Sequence, residues 1–138
     1  MPAYRLEDLK VGQAEEVRIP VSIADVDAFA ALSGDRAPLH MDASFASAKG
    51  MEGRVAHGLL IGALVSRFIG MHLPGDHGIL RKIEMDFRRP VTPPCELTVR
   101  GEVTQISEAV GQVTLQIRVT REDGELVSTA RVQSVVRA

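Results

Sequence analysis

Residues 58–72 constrain what this chain can fold into more than any other stretch. Leu59, Leu60, Ile61, Ala63, Leu64, Val65, Phe68 and Ile69 leave almost no polar side if the segment is helical, and Leu73-Pro74-Gly75 terminates it. The run is too short, and with Ser66 and Arg67 inside it too interrupted, to cross a bilayer, which takes about 20 apolar residues. A helix that is apolar nearly all round must be enclosed by protein. The covering has to come from elsewhere in the same sequence.

Downstream the periodicity changes from helical to alternating. Ile83, Met85 and Phe87 alternate with Lys82, Glu84, Asp86 and Arg88, the period-2 pattern of a strand with one buried face. Val113, Leu115, Ile117 and Val119 alternate in the same way with Thr114, Gln116, Arg118 and Thr120. The pattern resumes over residues 126–136 beyond Asp123-Gly124, which predicts a long hairpin. Residues 97–106 predict a further strand, set off by Pro90, Pro93 and Pro94, and residues 14–21 add one more. The predicted class is α+β, a curved antiparallel sheet wrapped around one long central helix, because nothing else in the chain could cover that helix. The hot-dog fold has this shape. Such a sheet has edges to protect, so dimerisation that joins two sheets edge to edge is expected.

No internal repeat, low-complexity tract or linker divides the sequence, and 138 residues read as a single soluble domain, 1–138. Sixteen basic against eighteen acidic side chains give a net charge of −2, and there is no Trp. That balance lacks the basic excess and the stacking surface that nucleic-acid binding requires. Cys95 is the lone cysteine and excludes a disulfide scaffold. The polar, charged first ten residues show no apolar export segment, so a cytoplasmic protein without a membrane anchor is expected.

Chemistry concentrates between two short helices. Ser22 with Asp25 reads as an N-cap for a helix that Gly34 stops, and Asp42 caps a second small helix over residues 43–49 that Gly50 ends. Between them lies Asp35-Arg36-Ala37-Pro38-Leu39-His40, where Gly34 and Pro38 prevent a continuous helix and both end residues are expected to project from a loop. A carboxylate and an imidazole converging on one water form an adequate pair for general acid/base work. The same spacing also suits an Asp35 that caps local amides and a His40 that merely leads into the Asp42-capped turn.

Ala56-His57-Gly58 begins the apolar helix, where unpaired N–H groups and the positive dipole end can hold a developing oxyanion. Gly58 lets a ligand approach the backbone closely, or simply starts a tightly packed helix. His57 reads as structural. His72 and His77 have no metal-ligand spacing around them and are expected to face solvent. Cys95 reads as a half-buried thiol. Arg88 and Arg89 fit either the outward face of a strand or a contact for an anionic cofactor tail.

The string Phe29-Ala30-Ala31-Leu32-Ser33-Gly34-Asp35-Arg36-Ala37-Pro38-Leu39-His40-Met41-Asp42, with Phe45-Ala46 after it and Ala56-His57-Gly58-Leu59-Leu60 later, resembles the (R)-specific enoyl-CoA hydratases of the MaoC-like dehydratase family. The likeness continues through Leu73-Pro74-Gly75 and Phe87-Arg88-Arg89-Pro90-Val91 into the terminal hairpin. It implies a hot-dog homodimer that acts on an acyl-CoA thioester, adding water reversibly to a trans-2-enoyl-CoA, with no metal, nucleotide or redox cofactor. By position, Asp35 and His40 match the family's catalytic pair and Gly58 its backbone oxyanion donor. Ser66, Ala37, Pro38 and His57 fall where the resemblance implies substrate binding.

One departure stands out, since the family commonly has Asn two residues after the Asp and this chain has Ala37. Rival readings are a hot-dog acyl-CoA thioesterase and a non-catalytic acyl-CoA-binding subunit.

Overall fold

The computed structural model describes residues 2–138. Five antiparallel strands, β1 (Ala14–Val21), β2 (Gly78–Phe87), β3 (Cys95–Ser107), β4 (Gln112–Arg121) and β5 (Leu126–Val136), form one sheet in the order β1-β3-β4-β5-β2. Among the described residues a short 3-10 turn (Leu6–Asp8) and four α-helices precede β2: α1 (Ile23–Ser33), α2 (Pro38–Met41), α3 (Ala43–Ala48) and α4 (Gly58–Met71). The α+β layout and the strands expected from the alternating patterns are all present.

The core forms where the helical and alternating periods meet. Leu60, Ile61, Val65, Phe68 and Ile69 of α4 pack in one cluster with Leu97, Val99 and Val103 of β3, Leu115, Ile117 and Val119 of β4, and Ala130 and Val132 of β5. Burying a side chain of this size stabilises the fold by about 1.5–3 kcal/mol. Close approach has one strict requirement at Gly101 in β3. A Cβ there would overlap the Phe68 ring and come within 2.9 Å of Ile117.

Two burial expectations are corrected. β2 lies at the sheet edge, and Ile79, Leu80, Ile83 and Phe87 are all exposed, so its alternation does not mark a face buried within this chain. Likewise α4 is not enclosed on every side, because Leu59 is 70% exposed and Met71 43% exposed. The two open faces are adjacent. Leu59 and Gly62 of α4 share an apolar hollow of about 370 Å³ with Leu80, Ile83, Met85 and Phe87 of β2. The physical reason is the strand order, which puts β2 at the edge of the sheet, where among the described residues its side chains beside α4 stay open.

Candidate active site

The segment before the site is shaped by its caps. Ser22 Oγ accepts from the Asp25 N–H at 3.1 Å and Asp25 Oδ2 accepts from the Ser22 N–H at 2.8 Å, closing a capping box on α1. Gly34 ends that helix in the left-handed region at φ 78, its N–H donating to the Ala30 carbonyl at 2.9 Å. The chain then turns through Asp35, whose Oδ1 accepts from the Ala37 N–H at 3.2 Å.

His40 does not project from an open loop as expected. Pro38 is at the first position of α2, where its missing N–H is one the helix would leave unpaired anyway, so it starts a turn that carries His40. Asp42 closes this turn and caps α3, its Oδ1 accepting from the Ser44 and Phe45 N–H groups at 2.9 and 3.2 Å.

His40 is held from behind. Its Nδ1–H donates to the Val55 carbonyl at 2.7 Å, which leaves Nε2 as the acceptor, and this nitrogen faces Asp35 Oδ2 at 3.8 Å. That separation is too long for a direct hydrogen bond. It leaves room for a third group bonded to both. Asp35 therefore fills both roles open at the sequence level, one oxygen capping Ala37 and the other facing His40.

His57 lies under the pair and is only 2% exposed. Its Nε2–H donates to the Asp35 backbone carbonyl at 2.8 Å, and its ring stacks on His40 with centroids 3.9 Å apart and planes 21° apart. The Phe29 ring also packs against His57, tilted by 54° with centroids 4.8 Å apart. His57 thus lies buried beneath the pair, where its contacts are with Asp35, His40 and Phe29.

Arg54 is a residue that no motif marked. Its Nε–H donates to the His40 carbonyl at 2.6 Å while its other end pairs with Asp27 of α1, tying the His40 turn to the first helix.

Gly58 and His40 line one cavity of about 300 Å³, together with Ile61, Phe87, Val91 and Val127. Gly58 is the first residue of α4 and His57 before it makes no side-chain capping bond; the Leu60 N–H donates to the His57 carbonyl at 3.0 Å, which leaves the Gly58 and Leu59 N–H groups available at the positive end of the helix. A Cβ at Gly58 would stand 3.3 Å from two atoms of the Phe87 ring. Glycine keeps this approach open.

Among the described residues, the other expected substrate contacts lie outside that cavity. Ala37 and Pro38 are exposed on the His40 turn, and Ser66 is exposed two turns along α4 from Gly58. Arg88 and Arg89 do border it, with Arg89 paired to Glu125 at 2.9 Å. His72 is half-buried and stacks on Phe68 with centroids 5.7 Å apart, a packing role rather than a solvent-facing one. Cys95 is half-buried, and burial pushes its thiol upward, with Glu122 adding to the effect.

Asp35, His40 and His57 also bring three potential metal-ligand atoms within 4.8 Å of one another. An imidazole lone pair lies in the plane of its ring, and two rings 3.9 Å apart with planes only 21° from parallel offer no point lying in both planes within reach of a metal–nitrogen bond. The geometry suits proton handling better than tetrahedral coordination.

Comparison with known proteins identifies the family and the fold. The MaoC-like domain family matches residues 8–125. The (R)-specific enoyl-CoA hydratase of Aeromonas caviae is 37% identical over 123 residues, spanning 89% of this chain and 92% of that protein. The 3-hydroxybutyryl-CoA dehydratase of Methylorubrum extorquens is 36% identical over 100 residues, 72% of this chain and 64% of that protein. The unliganded R-hydratase of Pseudomonas aeruginosa superposes with a TM-score of 0.90 at 34% identity, covering 96% of this chain and 84% of that one. The fold is the hot dog expected from the sequence.

Proposed function

Since the chain belongs to the MaoC-like domain family, we propose that it is an (R)-specific enoyl-CoA hydratase, a hydro-lyase that reversibly adds water to a trans-2-enoyl-CoA. The observation that carries this reading is the His40 Nε2 and Asp35 Oδ2 pair, 3.8 Å apart, with His40 in one cavity with the N-terminus of α4.

Both facing atoms are acceptors. A water about 2.8 Å from each donates one hydrogen to each and keeps a lone pair free for attack. The thioester carbonyl lies against the Gly58 N–H, which strengthens its hold as the oxygen gains charge in the enolate-like transition state. Hydroxide bonds to C3 as the water's proton passes to the His40 and Asp35 pair. The pair then returns a proton to C2 on the same face, giving the (R)-3-hydroxyacyl-CoA. Water and substrate account for every atom and electron of the product, so no redox cofactor enters the scheme. Ala37 supports the pair through its backbone, donating its N–H to Asp35 in the absence of the family's Asn side chain.

Residues 1–138 act as one unit in a cytoplasmic homodimer. Support for the dimer is the uncovered apolar face of α4 and β2 together with the edge position of β2, whose outer row of backbone groups can pair with another copy. Ser66 lies on the same open side of α4 and is read as a contact to the acyl-CoA completed by that second copy.

The test follows the enoyl-thioester absorbance of crotonyl-CoA and of a longer enoyl-CoA, beside the His40→Ala variant, with chiral analysis of the product. Conversion to the (R)-alcohol that vanishes in the variant supports the proposal. Release of free thiol would make the protein a thioesterase, and binding without turnover would make it a binding subunit.

A further inference from the structure

We infer that His57 is a positioning residue, one side chain that holds the Asp35 backbone, the His40 ring and the Gly58 amide in fixed relation. The inference rests on the hydratase reading for what the alignment achieves, though the contacts themselves are independent of it. Its Nε2–H donates to the Asp35 carbonyl at 2.8 Å, and its ring forms the floor under His40 at 3.9 Å. His57 is also the residue before Gly58, and its backbone at φ −57 and ψ 140 sets the direction in which α4 begins. Asp35 and His40 bracket the reacting water, and Gly58 holds the carbonyl. A residue joined to all three sets the acid/base pair against the oxyanion donor.

The chemistry of the buried ring narrows its role. A carbonyl can only accept, so Nε2 carries the proton, and Nδ1 is buried with no hydrogen-bond partner. Burying an unpaired nitrogen is unfavourable, and a phenyl ring would stack on His40 without that penalty. What the imidazole adds over a phenyl ring is the bond to Asp35. Glutamine could supply the bond but not the flat floor. Histidine provides both in a side chain of this size. His57 itself is too buried to touch substrate, so its effect passes through its neighbours.

The experiment compares His57→Phe, which keeps the floor, with His57→Gln, which keeps the donor, after cooperative thermal unfolding confirms that each is folded. Misplacing reacting groups by about 1 Å is worth on the order of 100-fold in rate. The Phe variant should lose kcat on that scale with little change in KM, and the Gln variant should recover a large part of the loss. In the unmodified protein, long-range proton–nitrogen spectra should show His57 as the Nε2–H tautomer with a slowly exchanging proton. A Phe variant with full kcat, a folded Gln variant no better than Phe, or an Nδ1–H tautomer would each overturn the inference. If the unmodified protein hydrates no enoyl thioester, the hydratase reading fails instead, and the tautomer measurement still decides whether His57 holds Asp35.

Discussion

Gly58→Pro separates the catalytic use of the α4 N-terminus from its structural use. Proline is tolerated at the first position of a helix, where its missing N–H has no intrahelical acceptor and its fixed φ suits the helix. The residue before a proline must be extended, and His57 already is, at φ −57 and ψ 140. The substitution therefore preserves α4 while removing the amide proposed to hold the thioester oxygen.

Losing one preorganised oxyanion donor removes about 2.7–4 kcal/mol of transition-state stabilisation. At about 1.36 kcal/mol per tenfold, kcat should fall by about 10²–10³. Gly58→Ala is the matched control, because it adds the Cβ 3.3 Å from the Phe87 ring but retains the N–H. Phe87 is 52% exposed, so its ring can give way by the few tenths of an ångström required. Stability should hold or rise by about 0.4–1 kcal/mol in the Pro variant, since the unfolded chain is restricted. The assay is loss of crotonyl-CoA absorbance at saturating substrate, read beside thermal unfolding. A folded Pro variant that turns over within a few-fold of the Ala variant would refute the role given to the Gly58 amide.

Three further outcomes are expected. Gly101→Ala should destabilise the protein by about 1–3 kcal/mol in urea titration, because its methyl group would overlap the Phe68 ring in the core; an unchanged midpoint would mean that the helix and sheet are less tightly apposed. Ile83→Asp places a charge on the open face of β2, and light scattering should find a monomer where the proposal expects the unmodified protein to be a dimer, whereas an undisturbed dimer would place the interface elsewhere. Burial raises the Cys95 thiol, so the folded state holds its proton more tightly than the unfolded chain. Its stabilising contribution is present below the unfolded thiol's range and is lost as pH rises from there through the folded thiol's higher range. Iodoacetamide at neutral pH should accordingly modify Cys95 more slowly in the folded protein than in urea, and equal rates would contradict this environment.

The sequence by itself determined the pieces whose causes lie within a few residues. The capping box at Ser22 and Asp25, the left-handed stop at Gly34 and the Asp42 cap are interactions over two to four positions, and each stands where its residues predict. The strands follow likewise from a period that any eight consecutive residues reveal. Pro38 does interrupt the helix as its sequence implies, but a proline also starts the next helix, and only the backbone that follows shows that His40 stands on that second turn.

Tertiary structure decided the rest, because the groups involved are far apart along the chain. The His40 tautomer depends on a carbonyl 15 residues away, the hold on Asp35 comes from a ring 22 residues away, and the Arg54 tie to Asp27 spans 27. The same holds for the apolar alternation of β2. Period 2 says that one face is apolar, but what covers that face is set by strand order, and β2 lies at the edge.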